Sequence, residues 1–143
     1  MINDDRLIYL ISMSHQTLMH YTNTALSKAG LKVTTAQAGT LFLLKQKNMC
    51  MMSEIGKVFN IDNSAVTRLI DRLEKNGLVK RLVPPENRRA ILICITPEGL
   101  DEEKKAQMII RSINSKIKED FTSKEVESYK KILNGILEKF KVE

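Results

Sequence analysis

The spacing of apolar residues along the chain predicts a mostly helical protein. Between Leu7 and Ala25 the apolar positions recur at steps of three and four, which is the pattern of one long amphipathic helix. A second apolar stripe beside it widens this face beyond what packing on a single neighbour requires. Ala29 and Gly30 end the predicted helix.

Capping signals mark the helices that follow. Thr34-Thr35-Ala36-Gln37 has the Thr-x-x-Gln pattern of a capping box, and Thr122-Ser123-Lys124-Glu125 has the same form. Asp62 is placed to cap a helix from Asn63 to about Asn76. Gly77 is suited to the end of that helix because a left-handed backbone costs least at glycine.

Two β-rich runs follow the helix that Asp62 caps. Residues 78–83 and 90–95 are joined by Pro84-Pro85-Glu86-Asn87-Arg88-Arg89, which predicts a two-stranded ribbon with a stiff, basic tip. Earlier in the chain, the short apolar run at residues 49–52 predicts one strand, and a helix restarts at Ser53. The expected order is therefore helix, tight turn, helix and ribbon.

The C-terminal third returns to helical patterns. Thr96 and Pro97 suit the N-cap and the first position of a helix. From Val126 to Phe140 the apolar residues follow strict 3-4-3-4 spacing, which is typical of a coiled-coil seam.

Length and composition exclude several classes of protein. The 143 residues amount to one domain, at roughly 150 residues per domain. No apolar run approaches the ~18 residues of a membrane helix, and the first six residues lack the basic start and apolar core of a signal peptide. Cys50 and Cys94 cannot build a disulfide framework, so we expect a cytoplasmic protein with reduced thiols.

The positive charge is concentrated in the middle of the chain. The net charge is +6, and acids and bases balance both in residues 1–30 and in residues 97–143. Residues 31–96 hold eleven bases against five acids and therefore carry the whole excess. This block suggests an anionic partner, although a solubilising surface would look the same, and charge alone does not decide between them.

The middle block has the order of a winged helix-turn-helix. Its second helix carries small polar residues and an arginine opposite its apolar side, as expected of a helix that approaches base edges in the major groove. We expect DNA contacts from this helix at Asn63, Ser64, Thr67, Arg68 and Arg72. Arg68 can offer a forked donor pair to guanine, while Arg72 is better placed for the phosphate backbone. Arg88 and Arg89 at the ribbon tip can enter the adjoining minor groove.

Each of these features also has a plain structural explanation. A polar helix face and an arginine pair at a hairpin tip are commonly just solvated. Their occurrence in order, within the only basic region, favours DNA binding. The alternative is a winged-helix module that docks proteins without sequence-specific DNA binding, and a weaker one is the dimerisation domain of an enzyme subunit.

With these motifs the chain resembles the MarR family of bacterial winged-helix transcription regulators. The resemblance is carried by residues 34–37, Ser53-Glu54-Ile55-Gly56, residues 62–79, Asn87-Arg88-Arg89 and residues 95–99. It implies that Ser64, Thr67 and Arg68 read the major groove and that Arg89 is the wing arginine of the family's Asp-x-Arg motif. Asn87 stands where the family usually has Asp, and it can hold the arginine only through a neutral hydrogen bond.

The resemblance also implies a homodimer, to which the apolar terminal helices point independently. The prediction is a mostly α fold with a small β-ribbon, divided into an N-terminal dimerisation helix (1–30), a winged helix-turn-helix DNA-binding domain (31–96) and C-terminal dimerisation helices (97–143). An intramolecular helix hairpin is the alternative for the terminal helices. A two-fold dimer would bind a pseudo-palindromic operator, as a repressor by hypothesis.

A small-molecule effector is a further hypothesis, which the family resemblance suggests. It would bind between the dimer helices and the winged domain and change the spacing of the recognition helices. Candidate lining residues are His15, Met19, Phe42 and Met108, each of which core packing would also explain.

The sequence gives no support for a cofactor, a metal site or catalysis. His15 and His20 face different sides of a helix, so they are not a chelating pair. Cys50 and Cys94 lie in apolar runs, which favours structural thiols over redox sensors. There is no glycine-rich phosphate loop and no evident Ser/His/Asp set, so we expect a protein that is not an enzyme.

Overall fold

The structure is a computed structural model that describes residues 6–142, so Asp4 and Asp5 of the charge pattern lie outside the described residues. Within that range it contains the helices and strands α1 (Leu7–Lys28), α2 (Thr35–Lys47), β1 (Met49–Met51), α3 (Met52–Phe59), α4 (Asn63–Lys75), β2 (Val79–Leu82), β3 (Leu92–Ile95), α5 (Pro97–Lys118) and α6 (Ser123–Lys139). The chain forms two compact units, the first ending at Ile109 and the second beginning at Ile110. The division into three functional regions stays a prediction.

The helices begin at the predicted caps. The Thr34 hydroxyl accepts the Gln37 N–H at 3.4 Å, while the Gln37 amide oxygen accepts the Thr34 N–H at 2.9 Å. Thr122 and Glu125 form the same reciprocal pair at 3.2 and 2.8 Å. Both capping boxes are confirmed, and each satisfies backbone donors that would otherwise lack partners.

The sheet has three antiparallel strands in the order β1-β3-β2. The predicted two-stranded ribbon is confirmed as β2 and β3, and the predicted strand at residues 49–52 is confirmed as β1. Its pairing with the far side of β3, with Cys50 opposite Ile93, was not predicted. The strands of the ribbon are also shorter than the β-rich runs. Pro84 and Pro85 have no N–H to donate to a ladder, and Ala90 donates to the Asn87 carbonyl within the loop at 3.1 Å.

In the core of the first unit, one side of α4 packs against α2, α3 and the sheet. Its fully buried side chains include Leu26, Leu41, Leu44, Ile55, Val66, Ile70, Leu73 and Ile93. Because α4 buries only Val66, Ile70 and Leu73, its opposite side is left to solvent. The core thus fixes which face of α4 is available to a partner.

The start of α5 is attached to the turn between α4 and β2. Thr96 donates its hydroxyl hydrogen to the Gly77 carbonyl at 2.7 Å and its N–H to the Leu78 carbonyl at 3.1 Å, and its hydroxyl oxygen accepts the Gly99 N–H at 3.0 Å. Gly77 has φ +73°, as expected for a glycine that ends a helix. A Cβ at Gly99 would collide with the Leu78 carbonyl oxygen, so this close approach requires glycine.

The terminal helices carry much exposed apolar surface. In the first unit, α1 buries only Thr22 and Leu26 and exposes Leu7 by 69% and Ile8 by 87%. In the second unit α6 buries none of its residues. The predicted 3-4-3-4 stripe lies along α6, except that the helix ends at Lys139, just before Phe140. Among residues 6–142, no helix combines the length and the apolar character needed to cross a membrane.

Candidate nucleic-acid interface

The exposed face of α4 carries the polar residues that the sequence predicted for it. The α3–α4 turn is tight, with Asn60 in the left-handed region at φ 52° and the Ile61 N–H donating to the Gly56 carbonyl at 3.0 Å. The exposed residues of α4 include the five predicted DNA contacts, Asn63, Ser64, Thr67, Arg68 and Arg72, together with Asp71, Glu74 and Lys75. The helix-turn-helix therefore presents small polar groups and two long cations on one side.

Asp62 organises the first turn of this helix. One of its carboxylate oxygens accepts the Ser64 hydroxyl hydrogen and the Ala65 N–H, both at 2.7 Å. These two bonds, the one from Ser64 first, hold the pKa of Asp62 below its usual value. The carboxylate is therefore ionised at the positive end of α4, where a negative charge is favourable.

The two hydroxyls on the exposed face of α4 already donate their hydrogens within the chain. Ser64 donates to Asp62, and Thr67 donates to the Asn63 carbonyl at 2.9 Å. Each oxygen keeps lone pairs that can accept a hydrogen bond from a base amino group. Arg68, in contrast, is purely a donor, so the exposed face offers acceptors and donors at separate positions.

The wing loop, residues 83–91, carries Arg88 and Arg89 in exposed positions. The side-chain oxygen of Asn87 accepts the backbone N–H of Arg89 at 3.1 Å, and the Asn87 N–H donates to the Pro84 carbonyl at 3.2 Å. Asn87 thus shapes the backbone of the turn. Within residues 6–142 neither arginine head group has an ion-pair partner, so both remain available to an anion.

A groove of about 260 Å³ joins α4 to the wing. It is lined by Met51, Met52, Ser53, Asn63, Thr67, Arg89 and Ile91. The fold therefore brings Arg89 to the same groove as Asn63 and Thr67, whereas Ser64, Arg68, Arg72 and Arg88 lie outside its lining. Ser53, at the start of α3, was missed by sequence reasoning, although the string Ser53-Glu54-Ile55-Gly56 marks its position.

Sequence reasoning also missed a cluster of charges between α4 and β2. Arg81 on β2 donates from one guanidinium nitrogen to Glu74 at 2.6 Å and from another to Asp71 at 2.5 Å. The bond to Asp71 is the main reason that the pKa of Arg81 is raised above its already high value. The positive charge of Arg81 is thus directed at α4, unlike the charges of Arg68, Arg88 and Arg89.

The four candidates for an effector pocket lie in different surroundings. His15, Phe42 and Met108 are exposed, and Met19 is half-buried. A groove of about 620 Å³ on α1 is lined by Gln16, Thr17, His20, Tyr21, Thr24, Ala25 and Lys28, which include none of the four. The effector site therefore stays a hypothesis.

Both cysteines are buried free thiols on neighbouring strands. Burial raises the pKa of the Cys50 thiol, and the negative charge of Glu54 adds to the effect. A raised thiol pKa lowers the fraction of reactive thiolate at neutral pH. Among the described residues, no group of three or more His, Cys, Asp or Glu is arranged to hold a metal ion.

Sequence comparisons identify relatives that share this region. The model of the MarR family matches residues 33–91, which contain α2, β1, α3, α4, β2 and the wing loop. The multiple antibiotic resistance protein MarR of Salmonella typhimurium is 29% identical over 133 residues, covering 92% of this chain and 89% of the relative. The HTH-type transcriptional repressor MdtR of Bacillus subtilis is 34% identical over 97 residues, covering 66% of this chain and 63% of the relative.

A solved structure shows the same fold bound to DNA. A mutant of MarR from E. coli, crystallised with operator DNA, has a TM-score of 0.84 to this chain and is 27% identical to it. The match covers 93% of this chain and 94% of that one.

Proposed function

Since this chain belongs to the MarR family of transcriptional regulators, we propose that it is a repressor that binds a pseudo-palindromic operator as a homodimer. The members of this family are regulators of transcription and not enzymes. The observation that carries the proposal is the exposed face of α4 beside the arginine-bearing wing. The similar E. coli protein is bound to operator DNA in its structure, and the similar B. subtilis protein is named a repressor.

In this proposal α4 lies in the major groove with Ser64, Thr67 and Arg68 toward the bases. Arg68 donates two hydrogen bonds to the O6 and N7 atoms of a guanine, while Ser64 and Thr67 accept from amino groups. Arg72 binds a backbone phosphate. Arg89 enters the minor groove beside the wing, where a narrow groove concentrates negative potential. Arg88 and Asn63 add contacts at either end of this surface.

The homodimer rests on the apolar surface of the terminal helices. Leu7, Ile11, Tyr129 and Phe140 are exposed by 69, 42, 50 and 69% in the single chain. A stable interface needs more than ~1,000 Å² of buried area, which helices of this length can supply when two copies associate. A two-fold dimer would set two copies of α4 about one turn of DNA apart, which requires an operator with two related half-sites.

Release by a small ligand and a cytoplasmic location are further parts of the proposal. An effector that bound near His15, Met19, Phe42 and Met108 would act by favouring a spacing of the α4 helices that DNA cannot accommodate. Thermal-shift screening of the purified dimer, with and without DNA, is the direct test. A ligand that stabilises the free protein and weakens DNA binding is the expected result, and a screen without any saturable binder would contradict it.

Selection of bound sites from random duplex DNA by the purified chain tests the central proposal. We expect enriched sites with two inverted half-sites about 10 base pairs apart, centre to centre. Analytical ultracentrifugation should show a dimer that binds one duplex. A strictly monomeric chain, or a selection without enriched sequences, would overturn the proposal.

The second candidate is a module that docks proteins, and salt dependence separates the two. For six to ten phosphate contacts, affinity for duplex DNA should fall by ~10³ or more between low and moderate ionic strength. The excess of positive charge in residues 31–96 favours this steep response. A flat response would favour protein docking.

A further inference from the structure

Arg81 makes three hydrogen bonds to α4 from a strand that leads into the wing. Its guanidinium donates to Glu74 at 2.6 Å and to Asp71 at 2.5 Å, and its backbone N–H donates to Glu74 at 3.3 Å. Val79, two residues earlier, lies on the same face of β2 and is buried. Arg81 therefore sits on the side of the sheet that packs against the first unit's core, at the edge where the core meets α4.

We propose that Arg81 is a positioning residue of the DNA interface, which fixes the angle between α4 and the wing through the carboxylates of Asp71 and Glu74. This inference rests on the proposed function, since it assigns a role within the same interface. Arg81 does not contact DNA in this role. It acts by holding the residues that do.

The position of the two carboxylates on α4 supports this role. Asp71 follows Thr67 by four residues and Arg68 by three, so it lies one helical turn from the reading residues on the same side. β2 leads from Arg81 directly into the loop that carries Arg88 and Arg89. The Arg81 side chain thus adds a charged link between α4 and the strand that leads to the wing, and its loss would loosen their relative placement, leaving the backbone bond to Glu74 and the shared core.

Arg81 is less exposed than its ion-pair partners, and it differs from Arg88 and Arg89, whose head groups have no ion-pair partner among the described residues. Its side chain is 25% exposed, while the side chains of Asp71 and Glu74 are 57 and 40% exposed. Its charge is already compensated by two carboxylates, so it has little left to offer a phosphate. The cluster also holds two negative charges close to the surface that DNA would approach.

An electrostatic role and a positioning role for this cluster predict opposite changes in DNA affinity when Asp71 is neutralised. Asp71→Asn removes a negative charge near DNA, and simple electrostatics then predicts tighter binding to any duplex. The same substitution weakens the bond that holds α4, and positioning then predicts weaker binding to the correct site only. The sign of the change on two kinds of DNA therefore distinguishes the two effects.

The experiment uses the full chain and two duplexes of equal length, one enriched by the wild-type chain from random DNA and one unrelated. We expect Arg81→Ala to weaken binding to the enriched duplex by about tenfold and to leave binding to the unrelated duplex nearly unchanged. Arg81→Lys should fall between, because an ammonium group can reach one carboxylate but lacks the planar fork that bridges two. Asp71→Asn should weaken binding to the enriched duplex and not to the unrelated one.

Lys80→Ala is the matched control. Lys80 is exposed, adjoins Arg81 on β2 and points to the opposite face of the sheet. Like Arg81→Ala, the substitution Lys80→Ala removes one positive charge from β2, but it leaves the bonds between Arg81 and α4 in place. We expect it to change binding to both duplexes by the same small factor.

Two results would overturn the positioning role. An equal loss on both duplexes in Arg81→Ala, with a shallower salt dependence, would make Arg81 a phosphate contact. Unchanged binding to the enriched duplex in both Arg81→Ala and Asp71→Asn would mean that the link positions nothing. Urea denaturation checks that each variant is folded. If Arg81→Ala does not fold, the binding of Asp71→Asn to the two duplexes tests the positioning role instead.

Amide hydrogen exchange tests the link without DNA. In Arg81→Ala we expect faster exchange in the second half of α4 and in β2, with no change in α6. Unchanged exchange in α4 would overturn the link itself. If the wild-type chain enriches no duplex, the proposed function fails, and the exchange measurement still reports on whether Arg81 holds α4.

Discussion

Lys45 of α2 donates a hydrogen bond to the fully buried carboxylate of Glu103 on α5, with 3.0 Å between Nζ and Oε2. The other oxygen of Glu103 is buried and has no hydrogen-bond partner among the described residues. A carboxylate in this position depends on its one cation, because burial of an unpaired charge is costly. The pair joins the winged region to the first half of α5.

We therefore expect Lys45→Met to lower the free energy of unfolding by about 1–3 kcal/mol, because the Glu103 carboxylate loses its hydrogen bond to the Lys45 ammonium. Glu103→Gln should cost less, since a neutral amide can still accept from Lys45. Urea denaturation measures both values. Lys47→Met is the control, since Lys47 is exposed on the same helix. A larger loss in Glu103→Gln than in Lys45→Met would contradict this explanation.

Arg68→Ala should weaken operator binding by ~1–3 kcal/mol and relax the sequence preference at one base pair in each half-site. The reason is that a bidentate contact to guanine discriminates against the other bases. Arg72→Ala is the comparison: we expect a uniform loss across sequences and a smaller salt slope. Competition binding with single-base variants of the enriched site measures both. Intact preference in Arg68→Ala would show that another residue reads that base.

Arg89→Ala should reduce affinity with a smaller loss of sequence preference, except at A·T-rich flanks. A narrow A·T minor groove attracts an arginine through its negative potential, so this residue reports on groove width. Arg88→Ala serves as the neighbouring control, because Arg88 lies outside the groove that Arg89 shares with Asn63 and Thr67. Binding to operators with A·T-rich and G·C-rich flanks is the measurement. An equal effect of both substitutions on both flanks would count against a minor-groove contact for Arg89.

The cap at Asp62 predicts a pH dependence of stability. Its pKa is lowered in the folded chain, mainly by the Ser64 hydroxyl, so its contribution is complete above the usual aspartate pKa. As the pH falls through that range toward the lower folded value, the contribution is lost. We expect Asp62→Ala to be less stable than wild type at pH 7, with a difference that shrinks as the pH falls below about 4. Urea denaturation at several pH values tests this, and a constant difference would contradict it.

Local signals in the sequence were sufficient to place most elements. The capping boxes at Thr34 and Thr122, the Thr96-Pro97 helix start and Gly77 act through residues only a few positions apart, so their effect can be read from the chain directly. The exposed side of α4 follows in the same way from helical periodicity. The roles proposed for Ser64, Thr67 and Arg68 came first from the chemistry of an exposed polar helix face, and the family resemblance implies the same roles.

Contacts between residues far apart in the chain could not be predicted from these local signals. The run at Met49–Met51 predicts a strand, yet its partner Leu92–Ile95 lies more than forty residues later. Glu103 sits in the acidic stretch Asp101-Glu102-Glu103, which is typical of a solvated helix face, and only packing buries its third member. The link from Arg81 to Asp71 likewise depends on how β2 is packed against α4. These are tertiary contacts, and periodicity carries no information about them.

The close fit of Gly99 against the Leu78 carbonyl limits which residues can occupy position 99. Even a methyl group at position 99 would force α5 away from the turn that ends α4, and the three bonds of Thr96 would be stretched with it. Saturation mutagenesis should therefore find Gly99, which is itself buried, as intolerant of substitution as the buried leucines. A related chain that diverges in sequence would have to alter other residues and keep glycine at this position.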